Sequence, residues 1–308
     1  MYFRKSVSMT VLLLSLISYS CNQQEVKKNE EKKVNSELNQ LPNLPDEITF
    51  AGQKINLNDL DLKERLDREI LVNTYFQSST SLIIKRSNRW FTILDKLLKE
   101  SKIHPDFKYL AVIESSLVEK AASPVGAEGF WQFMPNTATE YKLTIDEEVD
   151  ERLDVTKSTK AACEYLNKAN KTFNDWLLTA ASYNRGINGI VKDLSWQNAK
   201  SYFDLEQNDE TARYVFRLLA MKIILENPEK YGFNIPVQHR YPYIKTKKII
   251  VKNSISNLSD WSISKGINIK ILRKLNPWLI STKLTIKNKY YTLLLPINTE
   301  NLKPYNKY

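Results

Sequence analysis

The feature of this sequence that most constrains its fold is the helical spacing of its apolar residues. Leu62, Leu66 and Ile70 recur at intervals of about one helical turn. Only seven of the 308 residues are glycine, which suits long helices because glycine destabilises a helix interior. No strong alternation of apolar and polar residues, the sign of a half-buried strand, precedes residue 240. The spacing therefore predicts a mainly α body.

The same periodicity places the individual helices. It predicts helices over residues 60–76, 82–102, 106–118, 136–142, 157–171, 174–184 and 209–226.

The composition changes after Pro236. Two short segments rich in Ile, Tyr, Thr and Leu predict strands, and the residues between them predict two short helices. The expected unit is therefore a small α+β module, with strands at 241–251 and 290–296 and helices at 258–265 and 269–275.

The N-terminus has the features of an export signal. Arg4 and Lys5 precede an apolar run over residues 11–17 that is too short to span a bilayer comfortably. Cys21 follows a small residue and resembles a bacterial lipoprotein processing site, which makes it the predicted lipidation site. Ser18 departs from that pattern, since an aliphatic residue is usual there. The alternative is ordinary cleavage nearby, which would leave Cys21 free.

Charge is distributed unevenly along the chain. Of its 45 basic and 35 acidic residues, residues 236–308 contain 14 basic and two acidic ones, so the whole excess lies there. A basic segment with Tyr and Trp could indicate nucleic acid. An exported protein rarely meets nucleic acid, so an anionic wall polymer or a lipid surface is the expected partner.

No metal or cofactor site is predicted. The second cysteine, Cys163, lies in a helical pattern of small residues and is expected to be a buried small hydrophobe. The two histidines, His104 and His239, lie far apart in the sequence, so no metal-ligand spacing remains. The chain also has no glycine-rich phosphate loop.

Residues 111–138 contain the chemistry. Glu114 ends an apolar run and is followed by a Ser-Pro-x-Gly-Ala turn from Ser123 and an aromatic segment at 129–135. A carboxyl group held against apolar surface has a raised pKa and can stay protonated near neutral pH. That is what an acid catalyst for cleaving a glycosidic bond requires.

Five blocks in order resemble the soluble lytic transglycosylase family, goose-lysozyme-like enzymes that cut bacterial peptidoglycan. The resemblance covers roughly residues 85–235 and implies a lysozyme-like catalytic domain. The blocks lie at residues 114–117, 123–135, 150–162, 181–189 and 210–215. The last block departs from the family at Ala212, where arginine is usual.

The resemblance implies that Glu114 is the sole catalytic acid and base. It would protonate the oxygen between N-acetylmuramic acid and N-acetylglucosamine, then deprotonate the muramyl 6-hydroxyl to give a 1,6-anhydro product. Tyr183 is expected to place its hydroxyl near Glu114 and to orient it. The implied substrate-binding residues are Ser123, Gln132, Met134, Tyr183, Asn184 and Glu210. Several have structural alternatives: Ser123 as a turn residue, Met134 as core and Tyr183 as a buried tyrosine with a local partner.

The C-terminal module is similar to a LysM peptidoglycan-binding module, although residues 253–256 replace its usual entry sequence. The alternative is a basic structural tail. The expected organisation is a signal peptide, a disordered tether, a helical N-terminal extension, the catalytic domain and the LysM-like module. These segments correspond to residues 1–21, 22–45, 46–105, 106–235 and 236–308.

The sequence thus predicts a lipid-anchored lytic transglycosylase of the cell envelope, on the periplasmic face of the outer membrane. Its expected partners are peptidoglycan strands and the membrane, without nucleic acid, metal or cofactor. Two alternatives stay open. One is a hydrolytic muramidase on the same fold, and the other is a non-catalytic peptidoglycan-binding lipoprotein.

Overall fold

A computed structural model describes residues 44–45, 47–287 and 290–298. The predicted signal peptide with Cys21, and the predicted tether as far as residue 43, lie outside the described residues. The described residues belong to one compact unit, which begins at Leu44.

The described part begins with a β-hairpin, which the sequence did not predict. Strands β1 (Glu47–Phe50) and β2 (Gln53–Asn56) pair antiparallel, with Ile48 opposite Ile55. Ile48, Phe50 and Ile55 are buried, so the inward face of the hairpin joins the helical core. The predicted N-terminal extension is therefore helical only after this hairpin.

Two long helices follow. Helix α1 (Leu60–Tyr75) begins at the Asp59 side chain, which accepts a hydrogen bond from the Leu62 amide. Helix α2 (Gln77–Glu100) starts five residues before its predicted position. The apolar stripe that predicted α1 is buried, and it packs mainly against helix α8 (Asp209–Glu226).

The helices of the central region were predicted except for one. The structure contains α3 (Lys108–Ser115), α4 (Pro135–Glu140), α5 (Val155–Phe173), α6 (Trp176–Arg185), α7 (Ile187–Gln197) and α8. The unpredicted helix is α7, which starts directly after Gly186 ends α6. Helix α8 contacts α1, α3 and α6, and its interior positions are buried, so it forms the centre of the helical body.

The C-terminal module has the predicted strand–helix–helix–strand order. It contains β3 (Thr246–Val251), α9 (Leu258–Ser264), α10 (Ile269–Leu275) and β4 (Tyr291–Pro296). The two strands pair antiparallel, with Val251 opposite Tyr291. Their inward residues and the two helices enclose a hydrophobic cluster separate from that of the helical body. The fold is thus mainly α, with a small α+β module at its C-terminus.

Among the described residues, no helix has the length and apolar character needed to cross a membrane.

Candidate active site

Glu114 lies in the last turn of α3. The three residues Leu110, Ala111 and Val112 are buried, whereas Glu114 stays partly exposed at the helix end. The helix stops because Ser116 and Leu117 both adopt left-handed backbone conformations, with φ of 52° and 58°. Glu114 is therefore held at the end of a helix, where the residue keeps part of its surface exposed.

Helix α8 supplies the groups that surround this carboxyl. The hydroxyl of Tyr214 donates a hydrogen bond to Glu114 Oε1 at 2.5 Å. Arg217 donates from its guanidinium to the carbonyl of Ile113 at 3.3 Å, which places its charge beside the end of α3. Glu210 lies one turn before Tyr214 on the same helix. Glu210, Tyr214 and Arg217 therefore share one face of α8, and this face lies against the C-terminal end of α3.

The environment raises the pKa of Glu114 to about 7. Loss of hydration on burial is the largest cause, and the negative charge of Glu210 adds to it. The hydrogen bond from Tyr214 and the positive charge of Arg217 act in the opposite direction, because both stabilise the carboxylate. Glu114 can therefore give up a proton and take one back near neutral pH.

The turn that follows α3 is held by its own hydrogen bonds. Ser123 Oγ accepts from the Ala127 amide at 2.9 Å, which is a turn-forming contact. The side-chain amide nitrogen of Gln132 donates to the carbonyls of Ala121 and Gly129, at 3.0 and 2.8 Å. The structure thus uses two of the predicted substrate-binding residues to shape the turn itself.

Tyr183 lies beside Glu114, but it does not orient that carboxyl. Its hydroxyl donates instead to the Trp131 carbonyl at 2.9 Å. The charge of Glu114 is one of the causes that raise the pKa of Tyr183, after its burial. The hydrogen bond to the Glu114 carboxyl comes from Tyr214 instead.

The remaining predicted contacts lie at the surface. Met134 is 42% exposed where α4 begins. Asn184 and Glu210 are also exposed, and Asn184 Oδ1 accepts from Thr211 Oγ1 at 3.0 Å. This bond connects the end of α6 to the start of α8, so both side chains stand near the helix that carries Tyr214.

Tyr214 and Arg217 were not predicted as site residues. Their signal is spacing: Glu210, Tyr214 and Arg217 recur at intervals of four and three, and side chains at these intervals share one helix face.

Two further acidic residues stabilise local backbone structure. Asp154 caps α5 by accepting from the amides of Thr156 and Lys157. Asp150 pairs with Arg152 at 2.6 Å, and both are buried.

In the part of the chain that the structure describes, no three His, Cys, Asp or Glu side chains are grouped so as to hold a metal. Cys163 is buried, in agreement with the prediction, and it has no disulfide partner among the described residues.

Comparison with known protein families agrees with this geometry. Residues 93–205, which include Glu114, the turn and Tyr183, match the family described as Transglycosylase SLT domain. The chain carries a transglycosylase SLT domain. Residues 247–299 match the soluble lytic transglycosylase C-terminal LysM-like domain, so the SLT domain is followed by a LysM-like domain.

The chain is also similar in sequence to a curated protein. It is 27% identical over 211 residues to membrane-bound lytic murein transglycosylase D of Escherichia coli strain K12. The alignment covers 67% of this chain and 46% of the relative, so the chain spans about half of the relative's length.

Two solved structures are similar over about half of this chain. The lytic transglycosylase Slt of Pseudomonas aeruginosa has a TM-score of 0.37 at 20% identity, and covers 49% of this chain and 26% of its own. The 70 kDa soluble lytic transglycosylase of Escherichia coli has a TM-score of 0.39 at 21% identity, and covers 50% and 27%.

Proposed function

We propose that this protein is a peptidoglycan lytic transglycosylase in which Glu114 is the catalytic acid and base. The protonated carboxyl gives its proton to the glycosidic oxygen between N-acetylmuramic acid and N-acetylglucosamine, and the bond to the anomeric carbon breaks. The resulting carboxylate then takes the proton of the muramyl 6-hydroxyl as that oxygen attacks the anomeric carbon. The product is a 1,6-anhydro sugar, and no water is consumed.

One observation supports this reaction above the others. Glu114 is partly exposed, and its pKa is raised to about 7. The Tyr214 hydroxyl donates a hydrogen bond to its carboxyl oxygen, which stabilises the ionised form. A group that alternates between acid and base needs both forms to be accessible at the working pH. Burial favours the acid, while Tyr214 and Arg217 stabilise the anion formed after proton transfer.

No second carboxylate is required beside the sugar. The substrate's own 2-acetamido group can stabilise the developing positive charge, as in the recognised exceptions to the two-carboxylate pattern. Glu210 acts on the pKa of Glu114 in this proposal and also lines the cleft. Gln132 contacts the sugar through its side-chain oxygen, since its nitrogen bonds two carbonyls.

The remaining predicted contacts surround the same carboxyl. Met134 packs on a sugar ring, while Ser123 and Asn184 contribute polar contacts. Tyr183 lines the pocket beside Glu114, with its hydroxyl proton directed to Trp131.

The test is the mass of the products that the Glu114→Gln variant and the parent release from purified peptidoglycan. The parent should give muropeptides that end in anhydro-muramic acid, one water lighter than hydrolysis products. The variant should give none, because an amide cannot donate the proton. Glu119→Gln, a few residues on, is the matched control and should keep full activity.

Two other outcomes would contradict the proposal. Reducing-end muramic acid from the parent would mean a muramidase. Unchanged turnover by the Glu114→Gln variant would exclude Glu114 as the acid.

We further propose a cell-envelope location with a lipid anchor at Cys21. The export-signal features before Cys21 support this, and a tether to residue 45 would let the enzyme reach the wall from the periplasmic face of the outer membrane. The domain order is the one given above, with residues 236–308 binding the wall. Acyl chains on Cys21 would appear as added mass on the N-terminal peptide of the mature protein, and an unmodified peptide would exclude the anchor.

A further inference from the structure

One loop of the catalytic domain packs directly against the C-terminal module. We call residues 144–153 the docking loop. Two of its side chains, Val149 and Leu153, belong to the hydrophobic cluster of the module rather than to that of the helical body. Val149 forms an antiparallel bridge with Leu279, and the amide of Ile280 donates to the Glu148 carbonyl at 3.1 Å. The module's core is therefore completed by the catalytic domain.

Glu148 fixes this contact with its side chain. Its carboxylate accepts from the Thr285 amide at 2.6 Å and from Thr285 Oγ1 at 2.9 Å. Lys283 pairs with the same carboxylate at 3.2 Å. The pKa of Glu148 is lowered, first by the hydrogen bond from the Thr285 backbone. One side chain of the loop thus binds the segment that leads into β4.

The other end of the docking loop contacts the turn that contains two of the predicted substrate-binding residues. We call residues 121–133, which contain Ser123 and Gln132, the cleft turn. Arg152 donates from its guanidinium to the carbonyls of Gly126 and Phe133, at 2.8 and 3.1 Å. The charge of Arg152 is balanced by buried Asp150, so the guanidinium is held in place between the middle and the end of the turn.

The backbone of the docking loop lies against the same turn. A Cβ atom on Gly129 would overlap the carbonyl oxygen of Arg152. The amide of Asp150, two residues before, donates to the Trp278 carbonyl in the module at 3.0 Å. A short path of buried groups therefore leads from the module through Asp150 and Arg152 to the cleft turn.

We propose that Arg152 is a positioning residue for the reaction and that docking of the C-terminal module keeps it in position. The module would then serve catalysis on soluble substrate as well as any binding to the wall. This inference rests on the proposed function for its catalytic consequence. Its structural part, that the docked module orders the cleft turn, stands without it.

The test compares Glu148→Ala with Glu147→Ala in the full-length protein. Glu147 is the exposed neighbour in the same loop, and Glu148 has the contacts to Thr285 and Lys283. The first readout is amide hydrogen exchange. Peptides from the cleft turn should exchange several-fold faster in Glu148→Ala than in the parent and in Glu147→Ala, while peptides from α8 should not change.

A soluble, uncross-linked glycan fragment gives the second readout. Glu148→Ala should lower kcat/KM several-fold on this fragment and leave the pH at which activity falls unchanged, because Glu114 and Tyr214 are untouched. Arg152→Lys should restore part of the activity that Arg152→Met loses, since a cation can still reach one carbonyl. Because a cation at this position also pairs with buried Asp150, chemical denaturation of both variants should show equal free energies of unfolding if the rescue reflects positioning alone.

The outcomes separate the two proposals. Faster exchange near Thr285 with unchanged exchange in the cleft turn would overturn the inference, whatever the enzyme does. Absence of any glycan cleavage by the parent would instead contradict the proposed function, and the exchange result would still decide whether the module orders the turn.

Discussion

At the scale of single residues, the chemistry depends on opposing effects on one carboxyl group. Burial and Glu210 raise the pKa of Glu114, whereas Tyr214 and Arg217 lower it. A carboxyl in an apolar site without these partners would be a weaker acid, because nothing would stabilise the anion that proton transfer leaves behind. The pair of partners on α8 therefore adjusts Glu114 for both halves of the proposed reaction.

These effects predict opposite pH shifts for two substitutions on α8. Glu114 must be protonated to act as the acid, so activity should fall as the pH rises through about 7. Tyr214→Phe removes a hydrogen bond that stabilises the carboxylate, so the pKa rises and the fall moves to higher pH. Glu210→Gln removes a negative charge, so the fall moves to lower pH. The pH dependence of kcat/KM measures both shifts.

Tyr214→Phe should also lower kcat by about tenfold or more, because a hydrogen bond to a charged group contributes about 1.5–3 kcal/mol. The conservative substitution keeps the buried ring, so folding should be retained. A shift in the same direction for both variants would contradict the assignment of their roles.

At the scale of elements, the sequence predicted the long helices and the module but missed β1, β2 and α7. The strands are four residues each, too short for an alternating pattern to stand out. Helix α7 was missed because Gly186, at φ of 80°, separates it from α6 by one residue. Periodicity detects long elements, while a short hairpin is determined by contacts such as that of Ala51 with Asp106.

The sequence likewise indicated one part of the candidate site and not the other. Glu114 and the cleft turn are recognisable because their residues are close in sequence. The partner of Glu114 is 100 residues away in sequence, and a contact at that distance depends on how α3 packs against α8. Tyr183 was expected to orient Glu114, but its hydroxyl donates to the backbone carbonyl of Trp131, a contact that no sequence pattern indicates.

The contact between the docking loop and the cleft turn predicts different effects at two glycines. Gly129 and Gly126 both have positive φ, 80° and 90°, so alanine is strained at either position by about 1–2 kcal/mol. At Gly129 the new Cβ also meets the Arg152 carbonyl, whereas at Gly126 it has nothing within 4 Å. Overpacking adds about 1–3 kcal/mol.

Chemical denaturation should therefore show a larger loss in the free energy of unfolding for Gly129→Ala than for Gly126→Ala. Equal losses would mean that the docking loop moves away from the new Cβ atom without a measurable change in the free energy of unfolding. That result would also weaken the proposed path from the module to the cleft.

At the scale of the whole molecule, the positive charge and the proposed catalytic group occupy different parts of the chain. The basic excess lies in residues 236–308, and Lys247 and Lys248 are exposed on β3. Peptidoglycan presents carboxylates on its stem peptides, so the module offers charge complementarity to the proposed substrate. The docking loop then connects the proposed wall-binding surface to the cleft turn.

This arrangement predicts binding to purified sacculi that weakens with salt. Exposed charges interact over about 10 Å at 0.1 M ionic strength and about 3 Å at 1 M. The Glu114→Gln protein, which binds without cutting, should therefore sediment with sacculi at low salt and be released several-fold at high salt. Replacing Lys247 and Lys248 by glutamate should lower binding at low salt. The same double change at Lys160 and Lys171, exposed on α5, is the matched control for net charge. If both pairs reduce binding equally, net charge alone attracts the wall, and if neither does, the module binds through uncharged contacts.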